Sequence, residues 1–316
     1  FVVEGIGALL YMTVFVPEYG ARGVWISVFN SISAFCNAGI DIIAENSLCN
    51  YATNPVINLT TSLLIILGGM GYIVWWDVIR VSKMKARRKF SRLTLHSKIA
   101  ITSTAFLIFA GAVLTFIFEY DNPLTIKDYS LFDKIQVSFF QSVTTRTAGF
   151  ATVPQENLTN SSSIISLLLM FIGGSPVGTA GGVKTVTFIV IIACAISAIK
   201  GKNEVTLFSR NIKKEAVSKA VAVVGMSFLI MFVSTVLLSA VTDASVLDIL
   251  YETVSATATV GLTKNLTSNL NIAGKIIIIL TMYLGRVGPI SLAIAFNRKN
   301  ESPNIIKNPT EEISVG

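Results

Sequence analysis

Three times along this chain a short apolar helical run ends in a turn of small residues with one glycine at the same place. The turns occupy residues 33–40, 143–150 and 255–262, and their glycines, Gly39, Gly149 and Gly261, lie 110 and 112 positions apart. A second glycine mark follows each turn at near-constant distance: Gly68-Gly69-Met70-Gly71, then Gly173-Gly174-Ser175-Pro176-Val177-Gly178, then Gly285-Arg286-Val287-Gly288-Pro289. Two marks in register, three times over, predict one structural unit repeated. The unit is far longer than the roughly 20–50 residues of a solenoid repeat.

The repeat has to fold in lipid. The chain is 52% hydrophobic and 14% charged, with mean hydropathy +0.68, whereas soluble domains carry about 25% charged residues. Apolar stretches such as 98–118 and 275–296 approach or exceed the ~20 residues that cross a bilayer. The alternating ~10-residue strands of an outer-membrane barrel are missing from the sequence. The expected fold class is an all-α polytopic membrane protein. Cys36, Cys49 and Cys194 are odd in number and differ in context, so they predict neither a disulfide framework nor a metal site.

Charge sets the orientation. Arg80, Lys83, Lys85, Arg87, Arg88, Lys89, Arg92 and Lys98 follow one another without an acid, and six bases lie between Lys200 and Lys219 against Glu204 and Glu215. Residues 41–54 hold no base, and residues 119–134 hold two lysines against four acids. Excess base marks the cytoplasmic side, so the two basic loops and the C-terminal tail belong inside and the glycine turns face outside. Because these basic runs flank spanning helices, they argue for a bilayer partner and against nucleic acid.

With the loops inside, each unit has a forced path. Spanning helices over 1–16, 97–118 and 216–241 lead outward. Segments 24–36, 132–143 and 246–257 are too short for the ~30 Å core and must be re-entrant. Helices over 55–80, 161–200 and 272–297 return inside. The expected organisation is a repeat over 1–80, a basic loop over 81–96, a repeat over 97–200, a basic loop over 201–215, a repeat over 216–297, and a cytoplasmic tail over 298–316. Irregular backbone at membrane depth is tolerated only where protein or a water-filled cavity surrounds it.

Such a unit suits cations. A re-entrant helix aims the negative end of its dipole at the membrane centre. An extended turn beyond it can replace a hydration shell with backbone carbonyls. Glycine permits the positive φ that alternating carbonyls require. The predicted ion-selectivity residues are Asn37, Ala38 and Gly39, then Thr147, Ala148 and Gly149, then Thr259, Val260 and Gly261. K+ would sit at the carbonyls of Asn37, Ala38, Thr147, Ala148, Thr259 and Val260. A single such turn would read as a helix C-cap; three in register read as a filter. Three copies do not close a fourfold ring, and the apolar start at Phe1 leads to the expectation of a further unit upstream, about a hundred residues long by the repeat spacing.

On these turns, the 173–184 stretch and the Gly285–Pro289 mark, the chain resembles the Trk/Ktr/HKT superfamily of potassium transporters, most closely its KtrB-type membrane subunits. The resemblance covers essentially all of the chain, as the second to fourth of four parallel pseudo-repeats around a central pore. It implies a prokaryotic plasma-membrane location, a homodimer, and a cytosolic RCK ring that binds ATP or ADP and docks on the basic loops. It also implies transported K+, with Na+ as a further ion, and no organic cofactor. The tail over 297–316 is expected at the dimer contact.

Two further features bear on gating. Residues 161–200 would make a helix of ~60 Å at 1.5 Å per residue, broken by five glycines and a proline in ten residues, a composition that interrupts a helix. Gly173, Gly174, Ser175, Pro176, Gly178, Gly181 and Gly182 are therefore expected to form a gate loop crossing the path, and the alternative is a kinked helix. Its amides are expected to be solvated by an aqueous cavity and its local stability to be low. Arg286, inside an apolar helix, and Lys184, just past the loop, are the expected cationic partners, since charge within the membrane marks function; for Lys184, snorkelling to the headgroups is the alternative. Glu252 is expected to buttress the last turn, against Arg146.

The leading expectation is thus a potassium-selective, channel-like subunit gated by the loop and a nucleotide-binding partner. A stoichiometric Na+- or H+-coupled carrier is the alternative, although such carriers usually use inverted repeats. An enzyme is not expected: neither a Gly-x-Ser-x-Gly nor a His-Glu-x-x-His motif occurs.

Overall fold

The structure is a computed structural model in which residues 1–43, 46–84, 89–202 and 204–288 are described. The tail over 297–316, with its expected dimer contact, lies outside these residues.

Each unit opens with a long apolar helix: α1 (Val2–Tyr19), α6 (Leu95–Glu119) and α10 (Lys214–Ser239). All three are long and apolar enough to cross a membrane. The short helices follow where expected. They are α2 (Ala21–Phe35), α7 (Leu131–Thr144) and α11 (Val246–Thr257), each packed against the long helix before it. Ser130 and Ser245 cap α7 and α11 by accepting from the Asp133 and Asp248 amides, the usual remedy for free amides at a helix start.

The returning helices differ from expectation in the first and third units. Residues 55–80 do not form one continuous helix: α3 (Pro55–Gly69) and α4 (Tyr72–Ser82) meet at 93°. The break falls at Gly71, whose φ of 79° and ψ of 144° no helix contains. In the third unit α13 (Ile272–Val287) stops at Gly288, with nearly the same φ of 80° and ψ of 142°. In the second unit α8 (Asn160–Phe171) and α9 (Thr185–Ile199) flank the expected interruption. The second glycine mark therefore ends a helix in every unit.

Two short α-helices, α5 (Lys89–Arg92) and α12 (Leu266–Asn269), two single-turn 3-10 helices (Cys49–Tyr51 and Gln155–Asn157), and a hairpin of β1 (Thr206–Leu207) with β2 (Arg210–Asn211) complete the described elements. Phe90 and Phe208 stack edge to face with ring centroids 6.3 Å apart, which joins the two basic loops on one face. The exposed apolar side chains, Phe106, Phe109, Phe228 and Phe232 among them, form the extended apolar surface that a helix bundle presents to lipid. The centre is different in kind. Thr144, Thr145, Thr147, Ser142 and Thr253 are fully buried, so small hydroxyl residues share the space around the turns with apolar clusters that include Val143, Phe150, Val254 and Leu262.

Candidate ion pathway

The three turns share one backbone pattern. Asn37, Thr147 and Thr259 have φ of 51°, 67° and 53°, and the glycines two positions on, Gly39, Gly149 and Gly261, have φ of 66°, 94° and 92°. The residue between each pair does not adopt positive φ, so left-handed and ordinary backbone alternate. Holding threonine in this region costs on the order of 1–3 kcal/mol, and the surroundings must enforce it. Hydroxyls help. Ser33 Oγ donates to the Ile40 carbonyl at 2.6 Å, Thr144 Oγ1 to the Phe150 carbonyl at 2.5 Å, and Ser255 Oγ accepts from the Gly261 amide at 3.2 Å.

The carbonyls of Asn37, Ala38, Thr147, Ala148, Thr259 and Val260 accept no hydrogen bond from any described residue. Buried carbonyls are normally paired. Asn37, Thr147, Ala148 and Val260 are buried, Thr259 is half-buried and Ala38 is exposed; their six unpaired carbonyls, two from each turn, form a donor-free set suited to a cation.

The turns converge. A cavity of about 310 Å3 is bordered by Gly39, Gly149 and Gly261 together, with Asp41 and Glu156 among its other walls. A Cβ at Gly39 would lie 2.7 Å from Gly149 Cα and overlap the Ala148 carbonyl; one at Gly149 would lie 3.1 Å from Gly39 Cα and overlap the Val260 carbonyl. Each glycine of this pair packs directly on the turn of the following unit. A Cβ at Gly261 would meet no described residue within 4 Å, and its φ of 92° itself opposes a side chain.

The 173–182 loop lies against the opposite end of these turns. Thr179 Oγ1 donates to Asn37 Oδ1 at 2.7 Å, and the Gly181 amide donates to Thr147 Oγ1 at 2.9 Å. A Cβ on Gly181 would lie 2.5 Å from the Ala258 carbonyl and strike the Thr259 hydroxyl. All three left-handed positions, Asn37, Thr147 and Thr259, therefore touch the loop.

The loop is tied down elsewhere too. The Ser175 amide donates to the Gly69 carbonyl at 3.0 Å and the Thr179 amide to the Gly68 carbonyl at 3.3 Å. Those carbonyls are free because α3 ends there, which gives the unexpected break at Gly71 a physical role. Gly173 and Val183 complete the ties, with the Gly173 amide donating to the Val183 carbonyl and Val183 to Phe171. The expectation that water solvates the loop amides is corrected: protein acceptors take several of them, and Ser175, Ala180 and Val183 are buried.

The charged residues sort differently from expectation in one case. Arg286 Nη1 donates to the Thr179 carbonyl at 3.4 Å, and Lys184 Nζ donates to the Ala180 carbonyl, so both reach the loop. Arg286, Lys184 and loop residues 178–183 border a cavity of about 380 Å3 with Thr257 and Ala258. Glu252 does not pair with Arg146. Its carboxylate accepts from Thr263 Oγ1 at 2.7 Å and from Thr267, which braces the chain beyond the Gly261 turn. Arg146 instead donates from Nη2 to the Gly173 carbonyl at 3.1 Å.

Several of these residues carry no sequence signal. A hydroxyl five or six positions before each glycine is visible in the sequence, but its closure of the turn is not. Thr179, which joins loop and first turn, lay within a motif noted for its glycines and proline, and Thr147 was expected to act through its carbonyl, not through the hydroxyl that accepts from the loop.

Comparison with known proteins points to cation transport. Residues 4–308 match the family model for TrkH, described as a cation transport protein. The chain is 40% identical over 315 residues to the Ktr system potassium uptake protein B of Bacillus subtilis, covering 99% of this chain and 69% of that one. It is 36% identical over 322 residues to the potassium/sodium uptake protein NtpJ of Enterococcus hirae, covering 100% of this chain and 69% of that one. The crystal structure of the potassium transporter TrkH from Vibrio parahaemolyticus superposes with a TM-score of 0.76 at 15% identity, over 94% of this chain and 62% of that one.

Proposed function

We propose a function from one premise: this chain belongs to the TrkH family of cation transport proteins, a family of membrane transporters and not of enzymes. The chain is the ion-translocating part of a potassium uptake system. It acts as a channel-like pore selective for K+, which passes the carbonyls of Asn37, Ala38, Thr147, Ala148, Thr259 and Val260.

The observation that carries this reading is the set of six unpaired carbonyls on three turns with one φ pattern. Carbonyls held in place by the surrounding hydroxyls replace the hydration shell of a dehydrated cation without moving. The short helices α2, α7 and α11 run into the turns with their C-termini, adding the negative end of each helix dipole. The 173–182 loop is the gate, held beneath the turns by Thr179, Gly181 and Arg286. In this arrangement it obstructs the path, and opening requires those bonds to exchange for others.

Regulation falls to a cytosolic RCK ring that binds ATP or ADP, and two copies of the protein act together. The joined basic loops, with Arg80, Lys89, Arg92, Lys200, Arg210 and Lys213 exposed or half-exposed, support a docking face of that kind. The filter faces outside and the basic loops face the cytoplasm. The Enterococcus relative's name favours Na+ as a second transported ion. Coupling it in fixed ratio to K+ is the alternative mechanism.

The test is K+ uptake by a cell lacking its own potassium transporters and expressing the full-length protein, with and without a regulatory partner. The reading expects growth at low external K+. Failure of correctly inserted protein to restore it contradicts the reading. A fixed Na+:K+ flux ratio replaces the pore with the carrier.

A further inference from the structure

Behind the first two turns, away from the path itself, lies a second and much smaller cavity. It offers about 10 Å3 to the centre of a guest, room for one small guest and no more. Its polar side chains are Asn37, Thr104 and Arg146, and its remaining walls are aliphatic side chains and the glycines Gly69 and Gly174.

Each of the three polar side chains keeps an unpartnered atom: Asn37 Nδ2, Thr104 Oγ1 and Arg146 Nε. Asn37, Thr104 and Arg146 are 7%, 6% and 6% exposed, so bulk water does not serve them. Buried donors left without an acceptor are costly. A buried guanidinium left without a countercharge costs more. Among the described residues no carboxylate pairs with Arg146, and no acid borders the cavity.

We propose that this cavity binds one halide ion. The unmet demand is for an acceptor: Nε–H and Nδ2–H are donors, and the Thr104 hydroxyl turns to donate. A water molecule fits less well, because its own two protons need acceptors. The carbonyls of the two bordering glycines each already accept one amide, Gly69 from Ser175 and Gly174 from Thr185, so a water would compete for their second lone pairs. A halide accepts from all three donors and neutralises Arg146.

The position gives the ion a consequence. Asn37 belongs to the first turn, Arg146 to the second, and Arg146 holds the Gly173 carbonyl at the root of the loop. The halide would tie these three elements together and lower the positive potential beside a cation path. The site stands independently of whether the loop gates.

Bromide tests this directly, being a halide whose anomalous scattering identifies it. Crystals of the full-length protein grown in KBr should show an anomalous peak in the cavity, within hydrogen-bonding distance of Arg146 Nε. At equal K+ and ionic strength, the detergent-solubilised protein should melt roughly 2 °C or more higher in KBr than in potassium gluconate. Arg146→Gln should abolish that difference. Thr104→Val, a milder change should the first variant not fold, should reduce it. No bromide peak in the cavity, or ordinary water density there with no halide-dependent melting shift, overturns the proposal.

Discussion

The Thr179 hydroxyl donates to the Asn37 side-chain carbonyl across 2.7 Å, joining the 173–182 loop to a turn 142 positions earlier in the chain. Asn37 adopts positive φ, so the residue that shapes the first turn also holds the loop. Thr147 does the same in the second turn through the Gly181 amide. Turn geometry and loop position are thereby linked by named bonds, and each bond can be removed on its own.

Thr147→Val keeps the shape of the side chain and deletes the acceptor for the Gly181 amide. An unsatisfied buried amide costs about 1–3 kcal/mol, a penalty borne by the loop-down arrangement. Resting K+ flux per folded protein should rise on the order of tenfold, read by isotope uptake into liposomes. An unchanged or lower flux at equal protein amount removes Thr147 from the gate.

Arg286→Ala should act in the same direction with a smaller effect, since its bond to the Thr179 carbonyl is long at 3.4 Å. Partial deletion of the 173–182 loop should raise flux further and loosen its dependence on the regulatory partner. If flux per folded protein falls or stays level after both changes, Arg286 only braces the fold and the loop is no gate.

The glycines should not be equivalent. Gly39→Ala and Gly149→Ala place a Cβ onto a neighbouring carbonyl, whereas Gly261→Ser adds one that meets no described residue. All three carry the cost of a side chain at positive φ, about 1–2 kcal/mol, but the first two add a steric clash. Discrimination of K+ over Na+, measured as the ratio of uptake affinities, should weaken in Gly261→Ser while the protein still folds. Gly39→Ala and Gly149→Ala should lose folded protein as well. Gly39→Ala and Gly149→Ala proteins that fold as well as the parent would contradict the packing described.

Glu252→Gln should be tolerated better than Glu252→Ala. Thr263 and Thr267 need acceptors there, and an amide oxygen still supplies one. The alanine variant leaves both hydroxyls and a void, and should melt lower by several degrees. A Gln variant as unstable as the Ala variant would mean that the negative charge itself is required.

Much of this was legible in the sequence. The re-entrant helices fell within a few residues of their expected bounds because a dozen apolar residues between two spans allow little else. The interruption after α8 was legible because five glycines and a proline leave no helical reading. The break at Gly71 was not, because residues 55–80 stay apolar across it and a single helix of that length spans a bilayer. Its cause is a contact made far away in sequence, the loop amides of Ser175 and Thr179 taking the Gly69 and Gly68 carbonyls. Thr147 and Thr259 were legible as filter residues, but their positive φ was not, because threonine there runs against local preference. Pairing Glu252 with Arg146 followed charge alone, whereas the structure gives Glu252 two threonine hydroxyls and Arg146 a single backbone carbonyl, leaving Arg146 Nε without a partner.

The central claim is that the unpaired carbonyls of the three turns are the ion path. Thallium substitutes for K+ and scatters anomalously, so crystals of the full-length protein grown in a thallium salt locate the ion. The account predicts thallium density on the axis between the turns, within coordinating distance of carbonyls from Asn37, Ala38, Thr147, Ala148, Thr259 and Val260. Bound thallium found only elsewhere, with none between the turns, would contradict it.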